Sequence, residues 1–156
     1  MTKKNVLKGF TLIELLIVIL IISVLAVIAI PMVETSVKRE KEIHLRRNLR
    51  VIITAIDEHK KFIIDNNIEY DEDTYGYPET LEDLVKGIEY KDKQGNELIK
   101  KFLRKIPVDP MTNSYEWGLR SYQDKHDDSS WGGENVYDVY TKSERKALDG
   151  TYYKDW

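Results

Sequence analysis

The chain has no cysteine among its 156 residues. That excludes both a disulfide framework and a thiolate zinc site, and leaves the redox compartment unreadable from cysteine usage. Proline is scarce, with 4 in all, and neither proline nor glycine falls between Val33 and Ile64, so nothing there breaks a helix. Charge of one sign is also missing as a block. The net charge is −3, and the part beyond the apolar N-terminal segment carries no large basic run, which argues against a nucleic-acid partner. No H-E-x-x-H pattern, phosphate-cradling glycine loop or nucleophile–base–orienter set occurs, so no catalytic residue is assigned and the chain is not read as an enzyme. The length leaves room for one modest folded domain.

What is present in quantity is aliphatic residues at the start. The stretch KGFTLIELLIVILIISVLAVIAIP, residues 8–31, contains one strongly polar side chain after Lys8, that of Glu14. From Phe10 to Val33 a helix at about 1.5 Å per residue would measure roughly 36 Å, enough to cross a hydrocarbon core. Lys3, Lys4 and Lys8 precede it without an acidic residue, which places the N-terminus in the cytoplasm and the remainder outside. A carboxylate at depth in lipid costs about 2.5–3.5 kcal/mol and normally has a partner or a function. A secretory signal peptide, with Val27-Ile28-Ala29 as its cleavage site, leaves Glu14 unexplained, and so does a plain signal anchor. A cut after Gly9 would create a new α-amino group on Phe10, one helical turn from Glu14, where the first-turn N–H groups also favour negative charge. Between identical helices, Glu14 of one subunit could equally meet the Phe10 amine of the next.

The run Lys8-Gly9-Phe10-Thr11-Leu12-Ile13-Glu14 resembles the prepilin-peptidase signature of the type IV pilin superfamily. That resemblance implies a leader over residues 1–9 removed between Gly9 and Phe10, N-methylation of Phe10, and an assembly role for Glu14 with the Phe10 amine. It further implies a transmembrane and assembly helix over 10–33, and a periplasmic globular domain over 34–156 that includes the outer half of the helix. Pro31 matches the family's proline; its missing N–H and its ring clash are expected to kink or loosen the helix there.

Beyond the span, Val37, Leu45, Leu49, Ile52, Ile56 and Ile63 keep to three- and four-residue steps, which predicts an amphipathic continuation of the same helix as one rod of roughly 50 residues. Lys38, Arg39, Lys41, Arg46, Arg47 and Arg50 follow the span on its outer side and read as a solvated face. His44 and His59 are too far apart on this helix for joint ligation, and His126 stands alone in a loop. Residues 66–78 read as a polar loop. A short helix is expected from Pro78 to near Gly87, with Thr80 as N-cap and Asp83 in the capping-box position. A turn is expected over Asp92–Asn96, and two prolines enforce an extended path over 106–110. Two strands are expected, over 115–119 and 136–140, separated by a polar loop over 124–135. The fold class is therefore α+β, pilin-like, with a small antiparallel sheet packed on the long helix. The nine tyrosines and tryptophans of the tail, from Tyr115 to Trp156, are expected to pack on the helix or on neighbouring subunits, since no basic groove interleaves them.

The tail narrows the resemblance. Ile106-Pro107-Val108-Asp109-Pro110 followed by Asn113-Ser114-Tyr115, and the ending from Tyr137-Asp138-Val139 through Asp149-Gly150 to Asp155-Trp156, are similar to the major pseudopilins of type II secretion. Residues 65–100 lie outside that likeness. The resemblance implies a subunit that polymerises with its own kind into a helical pseudopilus driving protein export. Its implied partners are prepilin peptidase, an inner-membrane assembly platform, minor pseudopilins and the lipid bilayer. Major pseudopilins often hold calcium in their last loop, and Asp149 and Asp155 are the nearest match. The family's Gly/Asp-rich loop is shortened here, however, and residues 148–156 offer only those two acids, where calcium takes six to eight oxygen ligands. A second acidic group, Asp124, Asp127, Asp128 and Glu134, lacks EF-hand spacing and reads as a solvated loop. The alternatives are a type IV pilin of a surface fibre, or a signal-anchored or secreted extracytoplasmic binding domain. They would begin differently: at methylated Phe10 for a filament subunit, at Ile30 for a secreted domain, at Met1 for an anchor.

Overall fold

A computed structural model describes residues 9–125 and 130–156, apart from the side chain of Ile28. Its elements in chain order are α1 (Leu12–Asp65), a 3-10 turn (Glu72–Thr74), α2 (Leu81–Lys86), β1 (Ile88–Lys91), β2 (Glu97–Lys100), β3 (Gly118–Arg120), β4 (Asp138–Tyr140) and a second 3-10 turn (Tyr153–Asp155). The chain divides into two compact units between Arg39 and Glu40.

The first unit is the apolar part of α1. The large apolar side chains described between Phe10 and Val33 are all exposed, from 45% for Val18 to 81% for Phe10. Among the described residues one helix is long and apolar enough to cross a membrane, and it is this one. Its small hydroxyls are returned to the helix itself: Ser23 donates to the Ile19 carbonyl at 2.8 Å, Thr35 to that of Pro31 at 2.9 Å and Ser36 to that of Met32 at 2.9 Å. α1 remains helical through Pro31, at the cost of one backbone donor.

The second unit is built on the outer half of α1, whose buried Leu45, Leu49, Ile52, Ala55 and Ile56 recur at helical spacing. Their cover is Leu81 and Leu84 of α2, then Leu103, Met111, Trp117, Val136, Val139, Ala147 and Tyr153. Val37, which the spacing counted in this stripe, is 48% exposed, because it precedes the segment that the domain covers. α2 starts three residues after Pro78. The Asp83 carboxylate accepts the Thr80 N–H at 2.9 Å and the Thr80 hydroxyl at 2.7 Å. Burial works against the charge on Asp83, but these bonds and the Lys86 ammonium outweigh it and hold the carboxyl below its usual value. Gly87 ends the helix at φ 87°, and a Cβ there would lie 2.4 Å from the Lys100 carbonyl, so only glycine fits.

The sheet is two separate antiparallel pairs, β1 with β2 and β3 with β4. The β1–β2 hairpin lies where the sequence suggested only its turn; there Asp92 accepts the N–H groups of Gln94 at 2.8 Å and Asn96 at 2.9 Å. The strand expected over 115–119 is displaced to Gly118–Arg120. Residues 109–114 instead close a turn in which Asn113 takes φ 57°, and Trp117 is drawn into the core with its indole N–H on the Pro107 carbonyl at 2.9 Å. The second strand shortens to Asp138–Tyr140, paired so that Gly118 faces Tyr140. The Tyr140 ring lies over Gly118 so closely that a Cβ would sit 2.3 Å from it.

Candidate assembly site

The helix that exposes its apolar side chains starts at a polar corner made by two residues. The Glu14 N–H donates to the Thr11 hydroxyl at 3.2 Å, and the Thr11 N–H reaches back to the Glu14 carboxylate at 3.5 Å. The Leu15 N–H on the Thr11 carbonyl at 3.2 Å is the first helical bond. Thr11 is thus the N-cap and Glu14 the third helical residue of a reciprocal capping box. Sequence reasoning gave Thr11 no role; the signal was the T-x-x-E spacing itself. The box satisfies two backbone donors that the helix end leaves open, and it turns the carboxylate toward the residue that precedes Thr11 in sequence. That residue, Phe10, is 81% exposed, and the space around Gly9 is open. Residues 1–8, the rest of the expected leader, lie outside the described residues.

The two residues matched to a calcium loop, Asp149 and Asp155, lie in the other unit. Asp149 is engaged: one oxygen accepts the Thr151 N–H at 3.0 Å and its hydroxyl at 2.6 Å, and the other faces the Arg46 guanidinium at 3.8 Å. The Thr151 bonds, with Arg46 a smaller influence, hold this carboxyl below its usual value. Asp155 ends the second 3-10 turn and is exposed. Two acids, one already facing a guanidinium that would repel a dication, do not fit a calcium ion that seeks six to eight oxygens. Among the described residues no group of three or more His, Asp or Glu is arranged to hold a metal. Of the second acidic group, Asp124 closes a turn by accepting the N–H groups of Ser121 at 2.7 Å and Gly132 at 3.1 Å. Asp127 and Asp128, like His126, lie outside the described residues.

Two polar residues carry structural work that the sequence did not suggest. Asn135 is fully buried and ties three segments: its amide donates to the Asp73 carbonyl at 3.3 Å and to Gln123 at 2.9 Å, and its side-chain oxygen accepts the Tyr122 N–H at 2.9 Å. His59 is 5% exposed, donates from Nδ1 to the Gly76 carbonyl at 3.3 Å, and lies edge-on to Phe102 at 5.1 Å. Burial keeps its pKa below the ordinary 6.5, against the pull of Gly76 and Asp83.

An apolar helix opened by this capping box and continued into a small α+β domain defines a pilin-like protein. Comparison with known proteins agrees: residues 6–30 match the prokaryotic N-terminal methylation motif. The type II secretion system core protein G of Pseudomonas aeruginosa is 31% identical over 113 residues, spanning 70% of this chain and 72% of that protein. The chain belongs to the family of type II secretion system core protein G, the major pseudopilins. No solved structure matches it with significant similarity.

Proposed function

We propose that this chain is a structural subunit of a type II secretion pseudopilus. Its precursor sits in the bacterial inner membrane with the N-terminus in the cytoplasm and the globular domain in the periplasm. Prepilin peptidase removes residues 1–9 and methylates Phe10, and the mature subunit polymerises with copies of itself into a helical filament that drives protein export. The inner-membrane assembly platform and minor pseudopilins are its further partners. The chain acts by assembling and does no chemistry of its own.

The observation that carries this reading is the methylation motif joined to a helix whose large apolar side chains between Phe10 and Val33, among the described residues, stand exposed. Such side chains are content in lipid, and they are equally content against the same face of neighbouring subunits. Packing between helices, rather than escape from water, therefore has to select the filament. The axial register needs a polar determinant, because apolar contacts slide. Glu14, turned toward the helix N-terminus by Thr11, supplies the negative member. The Phe10 amine exposed by cleavage supplies the positive one, and their neutralisation removes most of the cost of holding a carboxylate in an apolar bundle. Pro31 gives the helix a point of bending where lipid contacts are exchanged for subunit contacts.

The test is the mature N-terminus together with a charge deletion. Mass spectrometry of the native protein should give a chain beginning at methylated Phe10, and Glu14→Leu should be inserted and cleaved but yield no filaments. A chain beginning at Met1 or Ile30, or normal filaments from the variant, would overturn the proposal. Long surface fibres in place of a short secretion filament would point to a type IV pilin.

A further inference from the structure

The segment from Leu148 to Trp156 is held against α1 by contacts that centre on two side chains one helical turn apart, Glu42 and Arg46. Glu42 Oε1 accepts the Leu148 N–H at 2.8 Å and the Tyr153 hydroxyl at 2.9 Å. Arg46 places its guanidinium 3.8 Å from the centroid of the Trp156 ring and 3.8 Å from Asp149 Oδ2. From Asp149 the connection runs through Thr151, whose hydroxyl donates to Asp149 at 2.6 Å and accepts the Trp156 indole N–H at 2.8 Å. The path Arg46, Asp149, Thr151, Trp156 and back to Arg46 is a closed ring. Tyr153, edge-on to Trp156 at 5.1 Å, seals it against the core with 1% of its surface exposed.

We infer that Arg46 is the cation of this segment: its guanidinium, spread over Trp156 and facing Asp149, docks residues 148–156 on α1 without a metal ion. The chemistry fits a guanidinium better than a dication. A planar guanidinium can face a carboxylate with its edge while an indole covers its face. Calcium can use the carboxylate but neither the ring nor the indole N–H, and it would need at least four further oxygens. The Arg46–Asp149 pair is exposed and by itself contributes little. The hold therefore comes from the stack on Trp156 together with the two bonds to Glu42. The inference concerns the folded subunit and stands whether or not that subunit forms a pseudopilus.

The experiment uses the full chain in detergent micelles, before assembly. Thermal unfolding is followed in millimolar calcium chloride and in millimolar EGTA, with limited trypsin digestion at Arg145, Lys146 and Lys154 as a second readout. The midpoint of the wild type should be the same in both solutions. Arg46→Ala should lower it by several degrees in both and speed tryptic cleavage severalfold, with Glu42→Gln acting in the same direction. Should Arg46→Ala fail to fold, Arg46→Lys answers the question, because it keeps the charge and loses the planar stack. A wild-type midpoint several degrees higher in calcium, as a site filled far above its dissociation constant requires, would overturn the inference. So would an Arg46→Ala or Arg46→Lys protein with unchanged midpoint and cleavage.

Discussion

The Asp109 carboxylate accepts a short hydrogen bond from the Thr141 hydroxyl, joining the turn after the extended proline run to the residue that follows β4. Asp109 is fully buried, and the same carboxylate takes the Met111 N–H at 2.8 Å and the Thr112 hydroxyl at 3.0 Å. Its own N–H returns to the Ser114 carbonyl at 2.8 Å. A buried carboxylate is tolerable when its lone pairs are filled in this way, so Asp109 earns its place as the node of the tail.

Replacing Asp109 with Leu would strand the Met111 N–H and the Thr141 hydroxyl in the interior, while the hydroxyl of exposed Thr112 could turn to water. The expected loss of stability is about 3–5 kcal/mol, read from urea unfolding of the full chain in detergent, and Asp109→Asn should lose less because its amide oxygen still accepts. A Leu variant within 1 kcal/mol of wild type, as roughly the worth of one ordinary hydrogen bond, would remove Asp109 from this role.

His59 makes stability depend on pH. Its folded pKa lies below the unfolded value of 6.5, so the unfolded chain binds the proton more readily. Stability is full above 6.5 and declines as pH falls through 6.5 toward the folded pKa. The urea midpoint should therefore drop between neutral and mildly acidic pH, and His59→Gln should flatten that part of the profile. Asp83, also shifted downward because its bonds to Thr80 and Lys86 outweigh burial, adds a second loss only as pH falls below its ordinary 3.8.

Gly118 and Tyr140 should behave as a coupled pair. Gly118→Ala puts a methyl group into the Tyr140 ring and should cost about 1–3 kcal/mol. Tyr140→Ala opens that space but leaves Arg120, now 4.6 Å from the ring, without its aromatic neighbour. The double variant should be more stable than the sum of the two losses predicts; additivity would show that the ring yields freely.

Thr11→Val keeps the shape of the N-cap and removes its acceptor. The lost cap bond, from the Glu14 N–H to the Thr11 hydroxyl, is worth about 1 kcal/mol and loosens the first turn, while the backbone N–H of residue 11, which Val keeps, still reaches the Glu14 carboxylate. Cleavage at Gly9 should continue while filament yield falls, less severely than with Glu14→Leu. Filament yield equal to wild type would confine Thr11 to local structure.

The helices were legible because their signals are local. The apolar run, the i, i+3 and i+4 stripe and the T-x-x-D box of α2 each lie within a few residues, and each appears where expected except that the stripe begins at Leu45 and not at Val37. Strand positions were less so. β2 is exposed along its whole length and shows no alternation to read, and β3 is set by where the Tyr140 ring finds room. The polar nodes were not legible at all. Glu42 meets Leu148 across 106 positions and Asn135 meets Asp73 across 62, and nothing near either residue marks it as different from a solvated side chain. At the N-terminus the glutamate was conspicuous by its cost in lipid, but its local partner, the amide and hydroxyl of Thr11, was marked by the T-x-x-E spacing alone.

The phenol of Tyr153 has a practical consequence. Burial first, then its bond to Glu42, push its pKa up to about 12. It remains protonated, and the tie from α1 to the tail stays closed, in the alkaline carbonate washes used to strip loosely held proteins from membranes. Retention in the pellet after such a wash should then report on the apolar helix, with the tail of the globular domain still tied to Glu42.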